Sequence, residues 1–425
     1  MKYITKIISS WYFRWLLIGI FIRLIISAFT LHSDLWAFSF SGRIFAEEGV
    51  FNVYEYLRNL PLNSQYRVYG TDFFTYPPLT YFVLGFFRFL LQPFFDQGFY
   101  SQLFANLGLA YQLSGIFLHS LMVKLPYLLF DIGLAFILTR FFEEEKKKRM
   151  IFLFWIFNPV SWYTSFMIGQ FDIIPTMFVV LSLYFAIKGK SDLSLVSLGI
   201  GGAFKLFPLF LIPFAALILS GDNRKWLKLT LIGFLPFLLT IAPFLTSQAF
   251  RSTVLFGTQS QKFLYAGINV SGADALYLFL VFYFLFLFYT AHFLRNVKNL
   301  WVVFLIIFLI LFSLTNYHPQ WFLWITPFLI IWIVDRPQLW FYPISLFAVF
   351  VGILFLFEPS LSIGLFSPIF FPLHQIQGMS VIVEKFMPTS QVLSILRSLF
   401  AAISLFMVWL SFHFVLIKNQ SIHKS

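Results

Sequence analysis

The stretch "YTSFMIGQFDIIPTMFVVLSLY", Tyr163 to Tyr184, is apolar enough for the interior of a lipid bilayer, yet it carries Gly169, Gln170 and Asp172 together. Hydrocarbon penalises each of those polar groups, so their presence asks what they serve. The surroundings settle the environment. The chain has 425 residues, of which 60% are hydrophobic and only 11% charged, and Phe alone occurs 63 times. Its mean hydropathy is +0.85. A soluble domain needs far more charge on its surface than this. Apolar runs near ~20 residues recur from end to end, each long enough to cross a ~30 Å hydrocarbon core as a helix. The composition therefore predicts an all-α polytopic membrane protein.

The formal net charge of +12 is explained by Lys and Arg retained in cytoplasmic loops, and nucleic-acid binding is set aside. No cysteine is present, which removes disulfides, thiolate metal sites and a cysteine nucleophile. The first apolar run is too long for a signal peptide and lacks an Ala-x-Ala-like cleavage site, so it reads as a retained span.

Short basic clusters beside apolar runs set the expected topology. They are Lys2 and Lys6, "EEEKKKR" (Glu143 to Arg149), "KGK" (Lys188 to Lys190), "NRKWLK" (Asn223 to Lys228), "RNVK" (Arg295 to Lys298), Asp335 with Arg336, and the tail with Lys418 and Lys424. All are placed in the cytoplasm, with both termini inside. The run "YPPLTYFVLGFFRFLLQPFF" (Tyr76 to Phe95) would turn "KKKR" outward if it crossed. It is therefore read as an amphipathic or re-entrant helix at the outer interface, consistent with Arg88 and the two prolines near its start.

The outer segment then covers about 32–120. Spans are expected near 11–31, 121–141, 150–167, 172–187, 226–246, 273–294, 300–315, 320–334, 339–357 and 391–417. The stretch 192–219 would be about 42 Å long as one helix at ~1.5 Å per residue, and it must return to its own side. Two short passes broken at "GGAFKLFP" (Gly201 to Pro208) satisfy both demands. The total is about twelve passes in one membrane domain. Residues 1–220 form a module with the large outer loop, and 221–425 add further helices.

Four polar sites fall toward the outer face under this topology: Asp34 in "HSDLW", Gln170 with Asp172 in "GQFD", Lys205, and "NYHPQW" (Asn316 to Trp321) with His318 and Gln320. Each has an ordinary structural reading as well: a helix end, a capped turn, a snorkelling amine, an interfacial turn. Arg67 and Tyr76 in the outer loop are weaker candidates. Together they suggest one cavity at the outer boundary. A carboxylate there suits a general base acting on a hydroxyl. A nearby cation suits a departing phosphate, and a lipid-facing cavity suits a polyprenyl tail. The predicted chemistry is sugar transfer from a lipid-phosphate donor.

The ordered motifs strengthen this. They are "SDLWAFSFSGRIFAEEGVFNVYEY", "TYPPLTYFVLGFF", "KLPYLLFDIGLAFIL", "FWIFNPVSWYTSFMIGQFD", "GIGGAFKLFPLFLIPF" and "HPQWFLWITP". In this order the chain resembles membrane glycosyltransferases of the GT-C superfamily, most closely the branch of the GPI first-mannose transferase and bacterial polyprenyl-phosphate-mannose-dependent mannosyltransferases. The resemblance implies a catalytic acid directly after span one, here Asp34. It implies a second acid at Asp172, a Lys before an aromatic and Pro at Lys205, and amphipathic helices in the first outer loop. Several relatives carry Asp-x-Asp in that loop, whereas Leu35 and Trp36 follow Asp34 here. The cofactor therefore stays open: no metal motif is visible, and Glu47 and Asp72 are poor substitutes for the missing acid.

The expected activity is inverting hexosyl transfer, with mannose as the sugar the resemblance implies, from a polyprenyl-phosphate donor to an extracytoplasmic lipid or glycan hydroxyl. Asp34 would be the base. Asp172 and Gln170 would bind sugar or orient Lys205, while Lys205, His318, Gln320, Arg67 and Tyr76 would bind donor or substrate. A multipass transporter or flippase using the same charges is the main alternative. A glycan polymerase or ligase is the second, weakened because 246–272 holds only Arg251 and Lys262 as basic residues.

Overall fold

The computed structural model describes residues 11–422, with the side chains of Tyr69 and of 414–422 left aside. The expected cytoplasmic markers Lys2, Lys6 and Lys424, and the side chain of Lys418, lie outside what is described. Among the described residues the chain is predominantly helical, with one two-stranded hairpin. Among the described residues, seven helices are long and apolar enough to cross a membrane: Trp11–Phe29, Ile116–Thr139, Glu145–Ile168, Asn223–Phe244, Val297–Leu314, Pro337–Phe355 and Thr389–His413. These fit an integral membrane protein.

The expected count of about twelve is larger because the remaining spans fall on shorter helices. Ile173–Ile187 has 15 residues, about 22 Å at ~1.5 Å per residue and short of a ~30 Å core. The run 192–219 is broken as expected, into Ser191–Gly202 and Ile212–Leu219 with a 3-10 turn over Phe207–Leu211. At two of the boundaries that differ, the kind of structure changes as well. The helix expected from 273 begins at Leu278, because Asp274–Tyr277 pairs as a strand with Gly267–Ser271. The helix expected from 320 begins at Thr326, after a 3-10 turn over Pro319–Trp324.

The chain divides into two compact units. One holds the chain up to Met177 with Thr240–Gly257 and Glu358–Gly378; the other holds Phe178–Leu239, Thr258–Phe357 and the chain from Met379 onward.

The first unit contains α1 (Trp11–Phe29), α2 (Asp34–Glu48), α3 (Val53–Arg58), α4 (Leu79–Leu90), α5 (Phe99–Ala105), α6 (Ile116–Thr139) and α7 (Glu145–Ile168). The stretch read as an interfacial helix is α4, and it packs along α2. Their backbones nearly touch, since a Cβ on Gly85 would lie 2.9 Å from the Gly42 carbonyl oxygen. Only glycine allows that approach. Inside the unit, Arg23 of α1 and Asp131 of α6 form an ion pair at 2.7 Å with both side chains buried. Asp131 also accepts from the Trp155 indole at 3.1 Å and the Ser161 hydroxyl at 2.7 Å. Arg23 donates to the carbonyls of Gly19 and Ile156. With the two opposite charges in contact, such a pair is tolerable in a low-dielectric interior and ties three helices together.

The second unit is built around the helix Leu300–Leu314, which is buried over nearly its whole length, and the helix Thr389–Ile422, which packs along it.

Candidate active site

In the first unit the site grows from two helix ends. α1 stops at Phe29, and the chain passes through Thr30 to Ser33 before α2 begins with Asp34 as its first residue. Asp34 therefore opens the second helix, and most of the residues after it are buried. α7 loosens at Asn158, whose side chain caps Val160 and Ser161, and ends in a π-helical turn over Trp162–Ile168.

Both helices finish with carbonyls that have no partner along their own backbone. The Lys124 ammonium collects them. Its Nζ lies 3.1 Å from Ser27 O, 2.6 Å from Thr30 O, 3.0 Å from Phe166 O and 3.1 Å from Met167 O. A buried cation at two negative helix termini is favourable, and here it pins the end of α1 to the end of α7. Gly169 follows with φ +87, and a Cβ there would sit 2.6 Å from Leu35 Cδ1 and 3.0 Å from Lys124 Cε. No side chain fits. The turn aims Gln170 at Asp34, and Gln170 Nε2 donates to Asp34 Oδ2 at 2.6 Å.

Gln170 is fully buried, whereas the Asp34 side chain stays about 40% exposed. His32 lies beneath it. Its Nδ1 accepts from the Asp34 backbone N–H at 3.2 Å and sits 3.6 Å from Oδ1. In the neutral imidazole that acceptance leaves the ring proton on Nε2.

The other carboxylates of the unit are differently committed. Glu47 pairs with Arg43 and Arg88 at 3.0 and 2.7 Å, and Glu48 with Arg43 at 3.0 Å. Asp72 pairs with Arg58 at 3.2 Å. Glu55 takes the Ser247 hydroxyl and the Ala249 N–H, and the Ser247 bond above all holds its carboxyl below the usual range. Asp96 caps the N–H of Gly98 in an exposed turn. Asp34 is the partly open carboxylate clamped by a neutral amide.

Of the residues singled out in sequence, the structure joins Asp34 to Gln170 directly. Asp172 follows two residues later, fully buried, at the entry to α8 (Ile173–Ile187). Tyr76 packs its ring edge-on to Phe171 at 4.9 Å, and Phe38 of α2 closes the same aromatic cluster at 5.4 and 5.2 Å from the two. Arg67 lies apart in its own turn, donating to the Leu60 carbonyl at 2.6 Å. Sequence reasoning passed over His32 and Lys124 as site residues. His32 stood inside the quoted "HSDLW" and Lys124 opened "KLPYLLFD", so a polar side chain at each span end was the available signal.

The second unit holds Lys205, His318 and Gln320. Lys205 is buried with Nζ 5.8 Å from the Trp324 ring centre. Trp324 is stacked between Phe207 at 4.0 Å and Trp321 at 4.7 Å. His318 Nε2 is 2.6 Å from Lys262 Nζ and 3.2 Å from Gln259 Oε1. Gln320 is buried in the following 3-10 turn. Among the described residues no three His, Cys, Asp or Glu side chains cluster as metal ligands.

Comparison with known proteins adds one result. The family model of glycosyltransferase family 87 matches residues 74–334, a range that takes in Tyr76, Gln170, Asp172, Lys205, His318 and Gln320 and begins after Asp34 and Arg67. No curated protein matches the chain. With more than half of its length matched and seven helices fit to cross a membrane, the chain belongs to glycosyltransferase family 87, a membrane glycosyltransferase.

Proposed function

We propose that the protein transfers a hexose, mannose in the first instance, from a polyprenyl-phosphate donor to an acceptor hydroxyl on the extracytoplasmic side, with inversion. The observation that carries this reading is the 2.6 Å bond from Gln170 to Asp34. It fixes one carboxylate oxygen and leaves the side chain partly open, which is what a general base needs. Asp34 takes the acceptor hydroxyl's proton as that oxygen attacks the anomeric carbon. The bond from that carbon to the phosphate oxygen breaks in the same step, and polyprenyl phosphate leaves with the electron pair. One displacement inverts the anomeric centre.

Asp172 is assigned to a sugar hydroxyl, and Tyr76 to stacking beside it. Lys205 is assigned to the charge on the leaving phosphate, with His318 and Gln320 as further donors. A buried amine among aromatic rings meets such charge more strongly than one in water. Arg67, spent on a backbone carbonyl, is given no role.

The test is transfer by the purified protein from polyprenyl-phosphate mannose, with glucose and arabinose donors alongside and membranes as acceptor. The anomeric configuration of the product is then read by NMR. Transfer with inversion supports the reading. Transfer with retention overturns the single displacement, and transfer only from a nucleotide sugar overturns the donor.

A further inference from the structure

Transfer by Asp34 leaves one buried charge of the first unit without a task. Lys124 is fully buried, and among the described residues no carboxylate lies within ion-pair distance of it. The oxygens of Ser27, Thr30, Phe166 and Met167 all lie within 3.1 Å of its Nζ. An ammonium has three protons, so two of those carbonyls share one. A shell made wholly of acceptors suits the charged amine and would leave a neutral side chain facing lone pairs.

The carbonyls belong to two helix ends, those of α1 and α7. Each end carries a partial negative charge of about half an electron, so the two repel where they meet. Thr30 does not relieve this. Its hydroxyl has one proton, which goes to Ile26 O at 2.5 Å. The same oxygen then stands 3.4 Å from Phe166 O and 3.3 Å from Met167 O with nothing left to donate. The Lys124 charge turns that repulsion into attraction.

The two joined ends lead directly into the site. Beyond Thr30 the chain enters α2 at Asp34, and beyond Met167 it passes through the Gly169 turn to Gln170. α6 supports that turn again through Tyr127, whose hydroxyl donates to Gly169 O at 3.1 Å. Each helix end also has a separate anchor on the segment Glu358–Gly378. Leu31 N–H donates to Leu365 O at 2.8 Å, and the Tyr163 hydroxyl to Leu361 O at 2.8 Å. These anchors do not need Lys124, so a neutral replacement can fold while the join between the ends loosens.

We infer that Lys124 is a positioning residue for transfer: its charge draws the ends of α1 and α7 together and so sets the bond from Gln170 to Asp34. The inference rests on Asp34 as the base. Lys124 acts through Gln170 and is not itself catalytic.

The experiment is a kinetic double-variant cycle on the purified full chain, with polyprenyl-phosphate mannose as donor and membranes as acceptor. Lys124→Met keeps the length and loses the charge, Gln170→Ala removes the amide, and the double variant closes the cycle, with melting recorded for each. Each single change is expected to lower kcat about tenfold and to leave the donor KM within about twofold. The double variant should fall little below either one, since both remove the same bond. In Lys124→Met the acidic limb of the pH–rate profile should move to higher pH, because a carboxylate that loses a donor holds its proton more readily.

Losses that multiply to about a hundredfold, with Asp34→Asn inactive, overturn the inference and leave the base standing. So does wild-type kcat in Lys124→Met. If Lys124→Met does not fold, Lys124→Gln, which keeps two N–H donors without the charge, takes its place in the cycle. Failure of both to fold makes the residue structural alone and overturns the role. Normal transfer by Asp34→Asn, or none by wild type, removes the reading on which the role rests.

Discussion

Asp34 and Asp131 lie in the same unit, each near a helix of the first span, and their surroundings are opposites. Asp131 is sealed, with the Arg23 guanidinium at 2.7 Å and two further donors from Trp155 and Ser161. Both further donors go to one carboxylate oxygen, and the guanidinium meets the negative charge at the other. Asp34 receives one amide hydrogen from Gln170 and faces the edge of the His32 imidazole, with much of its side chain open. One arrangement stabilises an ionised carboxylate until it is inert. The other orients the carboxylate and leaves it able to take a proton. Burial of an acid in a membrane protein therefore says little by itself, and the number and charge of its donors say more.

The contrast can be broken experimentally, beginning with the largest effect. Asp131→Asn strands the Arg23 guanidinium without its counter-charge. It should cost about 3–5 kcal/mol of stability, read as a large fall in melting temperature or in folded yield. If the variant melts like wild type, the pair is not the fastener described here.

Gln170→Glu sharpens the other side. A second carboxylate 2.6 Å from Asp34 cannot ionise beside it without cost, so the pair holds a proton to higher pH. The base form then appears only as that proton leaves, and the pH-activity profile should move in the alkaline direction, with transfer at neutral pH lowered by ~10- to 100-fold. A profile of unchanged position would remove Gln170 from the account.

Gly169→Ala probes the turn that aims Gln170. With φ +87 and Leu35 Cδ1 2.6 Å from the new methyl, it should cost about 1–2 kcal/mol and lower activity in step, seen in paired melting and turnover measurements.

The sequence made parts of this legible and hid others for definite reasons. Hydropathy marked the long helices, because apolar length is a local property. Gly and Pro marked the break near Lys205 for the same reason. "HSDLW" and "GQFD" were each suspicious alone, and the structure bonds Asp34 of one to Gln170 of the other. The Arg23–Asp131 pair was invisible, since nothing local to either residue names the other. Lys124 itself stood in view at the start of an expected span, but its partners were hidden, because they are backbone carbonyls, which every residue carries. The hairpin was taken for the start of a helix, since "ALYLFL" continues the apolar run, and the exposure of Ile268 and Val270 is a tertiary fact.

The most direct test is turnover of Asp34→Asn with a polyprenyl-phosphate sugar, measured beside its melting curve. Asparagine keeps the shape and the exposure but cannot accept the acceptor's proton. The account predicts transfer reduced by about 10⁴-fold, the upper end of what a general base supplies, with melting unchanged. Near-normal transfer by a normally folded Asp34→Asn protein would contradict it.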